Sequence, residues 1–241
     1  MKSTTKKLLA LLFVSVLMSS CNVNMFNRVN GNRNVVTADR STSQKFTKIK
    51  VSTGLDLYLS QGTKNKVTLE ADENLHDIII TEVNDGVLKI YSEKNIWQAK
   101  ARKVYVTVKN LEGLTATSGS DVYTEDVLKV ETIKISATSG ADIRIALDAD
   151  TVETSATSGS DIRISGTANN HTSRANSGAS IEAYKLISKN ATVNVSSGAD
   201  INIYASESIN AKASSGGDID FKGNPREINK KSSSGGSVSA K

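Results

Sequence analysis

Cysteine and proline each occur once in the 241 residues, and histidine twice. A single cysteine cannot close a disulfide within its own chain, so no disulfide framework is expected. His76 and His171 have no second ligand spaced near them, so they give neither a zinc pattern nor a catalytic one. No metal and no cofactor is expected. Serines abound, yet none sits in a Gly-x-Ser-x-Gly elbow, and neither a P-loop nor a Gly-x-Gly-x-x-Gly follows a strand. The one long apolar run, LLALLFVSVLM, is about half the roughly twenty residues needed to span a bilayer.

That run has another use. It follows MKSTTKK and is closed by Ser19 and Ser20, the layout of a secretory signal with a basic start, an apolar middle and a small-residue cut site. Residues 1–20 are therefore expected to be a signal peptide. Cys21 stands directly after the cut site, where the cysteine of a bacterial lipobox becomes the lipidated first residue, so Cys21 is the expected lipidation site. Met18 occupies a place where such boxes commonly hold leucine. Loss of residues 1–20 takes Lys2, Lys6 and Lys7 and no acid, so the formal charge falls from +5 to +2. The basicity belongs to targeting, and no nucleic-acid partner is expected. Residues 21–45 are polar with little periodicity and read as a flexible tether. No acid follows Cys21 in NVNMFNR, which leans the expected location toward the periplasmic side of the outer membrane.

The remainder is governed by a repeat. Ser-Gly recurs with glycines at Gly119, Gly140, Gly159, Gly178, Gly198, Gly216 and Gly235, a nearly constant interval. The surrounding text recurs in phase as ATSGSDVYT, ATSGADIRI, ATSGSDIRI, ANSGASIEA, VSSGADINI and ASSGGDIDF. After each glycine an apolar residue alternates with a polar one, as in Ile143-Arg144-Ile145 and Ile162-Arg163-Ile164, which marks a strand with one buried face. Seven residues before each glycine lie Ile133, Val152, His171, Ala191, Ile209 and Ile228, and three before lie Ala137, Ala156, Ala175, Val195, Ala213 and Ser232. Each repeat thus reads as strand, Ser-Gly corner, strand and variable loop. A unit this short cannot bury its own face, but stacked units share a core. The expected fold is an all-β, right-handed parallel β-helix, with coils of about 19–21 residues. A β-propeller would need about twice the residues per blade. The array proper spans 116–241. Residues 46–115 are less regular but strand-like, with VSTGLDLYLSQG repeating the Gly-x-Asp-apolar phrase at Gly54 and Asp56. With Pro225 the one proline and no linker inside 46–241, a single elongated domain is expected.

Residues 46–241 resemble the auto-transporter adhesin head, or GIN, domain family. The resemblance is carried by VSTGLDLYLSQG, by EADENLHDIIITEVNDGVLKIYSEK and by the SGAD/SGSD array. It implies a β-helical exported lipoprotein and little chemistry. Six residues follow Gly235, which leaves no room for a membrane barrel, so the lipid is expected to hold the domain.

Two surfaces are candidates for function. The corner ladder combines the glycines with Asp121, Asp142, Asp161, Asp200 and Asp218, Ser180 interrupting the acids. Turn capping by the carboxylates is the expected role. Calcium binding is the rival, but the nonapeptide roll that binds calcium has half the period and more glycines. Arg144 and Arg163 share the outward face with Asp142 and Asp161, where diagonal Asp–Arg contacts are expected. Tyr184 and Tyr204 stand at equivalent outward positions and could hold a sugar ring or simply cover the sheet. These four residues form the possible ligand surface. The expected function is a non-enzymatic envelope lipoprotein that presents a rigid solenoid for adhesion or scaffolding to an unknown protein or glycan. A glycan-binding or polysaccharide-processing β-helix is the alternative. The last repeat breaks off after Val238, before a second strand could form, so weak self-association is expected through Ile219, Phe221, Ile228 and Val238.

Overall fold

The computed structural model describes residues 28–42 and 44–241. The expected signal peptide over residues 1–20 and the expected lipidation site Cys21 lie outside these residues. Nearly everything described is strand, and the fold is a β-solenoid of stacked parallel coils.

Each coil in the array begins at a corner where both residues of Ser-Gly have positive φ, near 57° and 69° at Ser118-Gly119 and near 57° and 66° at Ser158-Gly159. Glycine was expected there. The left-handed serine before it was not, since only Gly, Asn and Asp adopt that region readily. Stacking supports the strained geometry. The amide of Gly140 donates to the Ser158 carbonyl at 3.2 Å, Gly159 to Ser177 at 3.2 Å and Gly178 to Ser197 at 3.2 Å, and the same bond joins every neighbouring pair of corners. Residues on either side then pair in register: Asp142 to Asp161, Ile143 to Ile162 and Ile145 to Ile164 on one wall, Val152 to His171 and Ala156 to Ala175 on another.

The variable loop is a correction. In the middle coils the chain does not loop but continues as one bent strand, Asp142–Thr157 and Asp161–Asn176 being 16 residues each. Its central part forms a third paired wall, in which Leu147 stands beside Gly166 and Gly166 beside Leu186. These segments differ in sequence from coil to coil, but parallel pairing uses backbone groups that every residue supplies. Inward residues such as Ile143, Ile145, Leu147, Val152 and Ala156 are buried and make one continuous core.

The amino-terminal half departs from chain order. Strand Lys48–Val51 pairs with Gly113–Thr117 on one side and with Val87–Ser92 on the other. Strand Asp56–Gln61 likewise lies between Asp121–Thr124 and Arg102–Val108. The first coil in sequence is therefore second in space, because residues 66–108 double back over its outer side. Strand Lys66–Asp72 runs antiparallel to Arg102–Val108 and closes that end.

Where it is described, the expected tether is a further correction. Residues 28–40 are folded onto the domain: Arg28–Asn30 pairs with Asn95–Gln98, and Val35–Arg40 pairs antiparallel with Lys66–Asp72. The cause lies elsewhere in the sequence. The fully buried Asp72 carboxylate accepts the backbone amides of Arg33 at 2.9 Å, Lys100 at 3.1 Å and Ala101 at 3.0 Å. Burial pushes this carboxyl up, but the three amide donors outweigh it and hold its pKa below the usual range.

The carboxy-terminal coil is a third correction. Ser237–Ala240 does form a strand, parallel to Asp218–Lys222. Ile219 and Phe221 are buried, and Val238 packs on the same core. Only Ile228 and Val238 of the four expected contact residues keep exposure. Ile228 is 51% exposed, since Glu227–Ser232 is paired only to Ser208–Ala213 among the described residues.

Candidate functional site

The wall that follows the corner presents its outward side chains in columns, because in-register parallel pairing places like positions one above another. The first column runs Lys103, Asp56, Asp121, Asp142, Asp161, Ser180, Asp200, Asp218 and Ser237. The second runs Tyr105, Tyr58, Tyr123, Arg144, Arg163 and Glu182.

The acids do not cap the corners. Among the described residues the carboxylates of Asp121, Asp142, Asp161 and Asp200 accept no hydrogen bond, and Asp218 accepts one from the Ser237 hydroxyl at 2.6 Å. The corner amides are already taken by the neighbouring coil, so nothing remains for an Asx turn to satisfy. Burial, then the charges of Asp56 and Asp142, push the Asp121 carboxyl above its usual range. Burial also raises Asp56 and Asp200, the latter helped by Asp218.

The expected Asp–Arg contacts are absent as well. The ion pairs among the described residues are Lys66–Asp39, Lys103–Glu70, Lys134–Glu153 and Lys241–Asp220. The Arg144 guanidinium instead lies 5.5 Å from the Tyr123 ring centre, within cation–π range. Successive β residues on one face lean along the strand, and the long arginines reach past the short aspartates.

Sequence reasoning missed an aromatic ladder. Tyr58 stacks on Tyr105 with centroids 5.1 Å apart and on Tyr123 at 5.4 Å. The signal was present for one pair, since Tyr58 and Tyr123 each stand four residues past a corner glycine, Gly54 and Gly119. Tyr184 and Tyr204, expected as neighbours, are not among the stacked pairs. The Lys222 ammonium sits 4.4 Å over the Tyr184 ring.

Arg144, Arg163 and Tyr184 do come together. With Thr124, Glu182 and Lys185 they border a hollow of about 630 Å³. A change of register creates it. Arg163 pairs with Glu182 but Ser165 pairs with Lys185, so the lower coil carries one extra residue at this point. Such bulges re-aim side chains. Gly166 sits at the same break with φ of 117°, and a Cβ there would lie 1.8 Å from the Leu147 carbonyl oxygen. A second hollow of about 900 Å³ lies on the third wall, bordered by Asp148 and Asp150. Those carboxylates are already bonded across coils to Thr167 and Asn169. The first hollow brings together two arginines that make no ion pair among the described residues.

His171 is buried within the stack, its Nε2 2.9 Å from the Thr154 hydroxyl, which donates to Ser173 at 3.0 Å. Burial lowers its pKa to about 4. It faces no outer hollow. His76 lies far off in sequence and space, beside the carbonyls of Val36 and Ala71.

Several solved structures share this fold. A "putative adhesin" from Bacteroides fragilis is 23% identical, covers 88% of this chain and 100% of its own, and superposes with a TM-score of 0.81. A "putative lipid binding protein" from Parabacteroides distasonis is 22% identical over 89% of this chain and 99% of its own, with a TM-score of 0.74. A "putative adhesin" from Parabacteroides merdae is 19% identical over 89% and 99%, with a TM-score of 0.71. No curated protein matches the chain. The family model described as "Putative auto-transporter adhesin, head GIN domain" matches residues 45–225, three quarters of the chain, and the protein belongs to that family.

Proposed function

We propose that this protein is a non-enzymatic lipoprotein of the bacterial cell envelope, anchored through Cys21, whose rigid outward wall serves adhesion or scaffolding. The carrying observation is the hollow at the register break. Arg144, Arg163 and Lys185 border it, and neither arginine is neutralised by an ion pair among the described residues. A stacked sheet holds these groups at fixed spacing before any partner arrives, which lowers the ordering cost of binding. The family's description as an adhesin head supports the reading, as do the basic start, apolar run and Ser-Ser-Cys junction of residues 1–21. The periplasmic side of the outer membrane is favoured.

A second reading makes the partner a glycan. Tyr184 and the two arginines at one hollow suit an acidic sugar, the cations pairing its carboxylate and the ring its apolar face. A glycan array run beside a reducing-sugar release assay tests both. Binding lost in Arg144→Ala and Arg163→Ala, with no release of reducing ends, is the expected result. Release of reducing ends would overturn the non-enzymatic reading. Cys21→Ala is expected to leave the membrane fraction, and its retention there would overturn the anchor. Weak self-association through Ile228 and Val238 is retained, and light scattering of Ile228→Lys beside the parent chain tests it.

A further inference from the structure

The corner of the coil that doubles back is unlike all the others. Val87–Ser92 and Arg102–Val108 are joined there not by Ser-Gly but by residues 93–101, which carry the strand Asn95–Gln98. This excursion pairs with Arg28–Asn30 and stands beside the main sheet. It displays Trp97, 56% exposed, the largest side chain left in solvent among the described residues. The Arg28 guanidinium lies 4.1 Å from the centre of its ring. Next to it is a hollow of about 700 Å³ bordered by Trp97, Arg33, Lys100, Arg102 and Lys103, with Asp56 the one carboxylate on its lining. Lys103 is engaged by Glu70 at 3.4 Å. That leaves Arg28, Arg33, Lys100 and Arg102 around an exposed indole.

The chain connects this surface to the proposed anchor. Arg28 is seven residues past Cys21, so a lipid on Cys21 lies within a fully extended reach of about 25 Å. The folding of residues 28–40 onto the domain leaves a span of seven residues from Cys21 to Arg28, which keeps this corner within reach of a bilayer that holds the lipid. Tryptophan beside cationic residues is the composition that settles at a membrane–water interface. Each Lys or Arg near an anionic leaflet contributes about 1 kcal/mol.

We infer that the Trp97 corner, with Arg28, Arg33, Lys100 and Arg102, docks on an anionic phospholipid surface and fixes the orientation of the solenoid on the membrane. This rests on the lipoprotein reading for its biological setting, but its test does not need the lipid. Trp97 is the sole tryptophan, so its emission reports this corner alone. The mature chain, residues 21–241, carrying Cys21→Ser is mixed with vesicles of phosphatidylcholine, or of phosphatidylcholine with phosphatidylglycerol, and emission and co-sedimentation are read. A blue shift and co-sedimentation on the anionic vesicles alone are expected. Lys100→Glu is expected to weaken that binding about ten-fold. Lys212→Glu, the same charge change toward the other end of the stack, leaves it unaltered. Unshifted emission on anionic vesicles would overturn the inference while leaving the Cys21 anchor standing. Equal weakening by both substitutions, or a shift with a soluble acidic polysaccharide in place of the vesicles, would overturn it too. Equal melting temperatures of the two variants show that each is folded.

Discussion

His171 Nε2 lies 2.9 Å from Thr154 Oγ1 in the interior of the stack, and its other ring nitrogen has no partner among the described residues. With the threonine hydroxyl committed to Ser173, the Nε2 proton points to Thr154 and Nδ1 is a buried acceptor left empty. The ring therefore stays neutral, and its pKa falls from 6.5 to about 4. Above the unfolded value both states are neutral and the histidine has no pH effect. As pH falls from about 6.5 toward about 4 the unfolded chain takes a proton that the folded one refuses. Stability is lost through that window, by about 3 kcal/mol in all. Denaturant titrations at pH 7 and pH 4 are expected to show this loss in the parent and not in His171→Val, which restores the residue of the preceding coil.

Gly159 and Gly166 belong to the same coil but should respond differently to alanine. Gly159 has φ of 66° and open space around an added Cβ, so Gly159→Ala is expected to cost about 1 kcal/mol for the left-handed backbone. At Gly166 the new atom would meet the Leu147 carbonyl oxygen at 1.8 Å, and the coils must part. A cost above about 3 kcal/mol is expected there. Similar unfolding midpoints for the two variants would contradict the close approach of Gly166 to Leu147.

Asp72 holds three backbone amides, so Asp72→Ala should release the segment 28–40 from the domain. Hydrogen bonds to a charged acceptor contribute about 1.5–3 kcal/mol each. Hydrogen exchange is expected to accelerate at Arg33, Lys100 and Ala101, while amides of the array such as Ile162 stay protected. Unchanged exchange at those three positions would show that the arm is held by something else.

The acid column should be a liability at neutral pH. The Asp121 carboxyl is raised by burial and by Asp56 and Asp142, so its charged form costs stability. Asp121→Asn is expected to melt higher than the parent at pH 7. The gain should shrink as pH falls through the carboxylate range, because the parent then sheds the same charge. Added calcium is expected to leave both melting curves in place; a rise of several degrees in the parent alone would make the column an ion site.

The array was legible because every coil restates it. Ser-Gly, the following Ile-x-Ile and the small residue three before the glycine recur at fixed phase, and repetition turns a weak strand signal into a strong one. The paired third wall was only partly legible, since its buried column of Leu128, Leu147 and Leu186 is interrupted by Gly166 and shifted by one residue before Lys185. Residues 28–40 looked like a tether for a different reason: their partner acid, Asp72, is remote in sequence and marks itself by nothing local. Serine carries no signature of the left-handed region, so the first half of each corner stayed hidden. The hollow was half visible. Arg144 and Arg163 fell at matching positions, and the Gly178–Gly198 interval shows one extra residue, but that it falls beside Tyr184 and Lys185 appears only when coils are aligned in space.

The doubling back of residues 66–108 has a consequence for the order in which the chain folds. Within the array, Ile162 meets Ile181, its counterpart one coil later, and the loop to close is short. Ile49 must wait for Leu88, twice as far along the chain, and for Leu114, more than three times as far. Closing the longer of these loops costs about 1 kcal/mol more than closing an array coil, before any contact offsets it. In refolding of the whole chain the array coils, whose partners are one coil apart, therefore have the lower closure cost, and the end nearest the proposed anchor the higher.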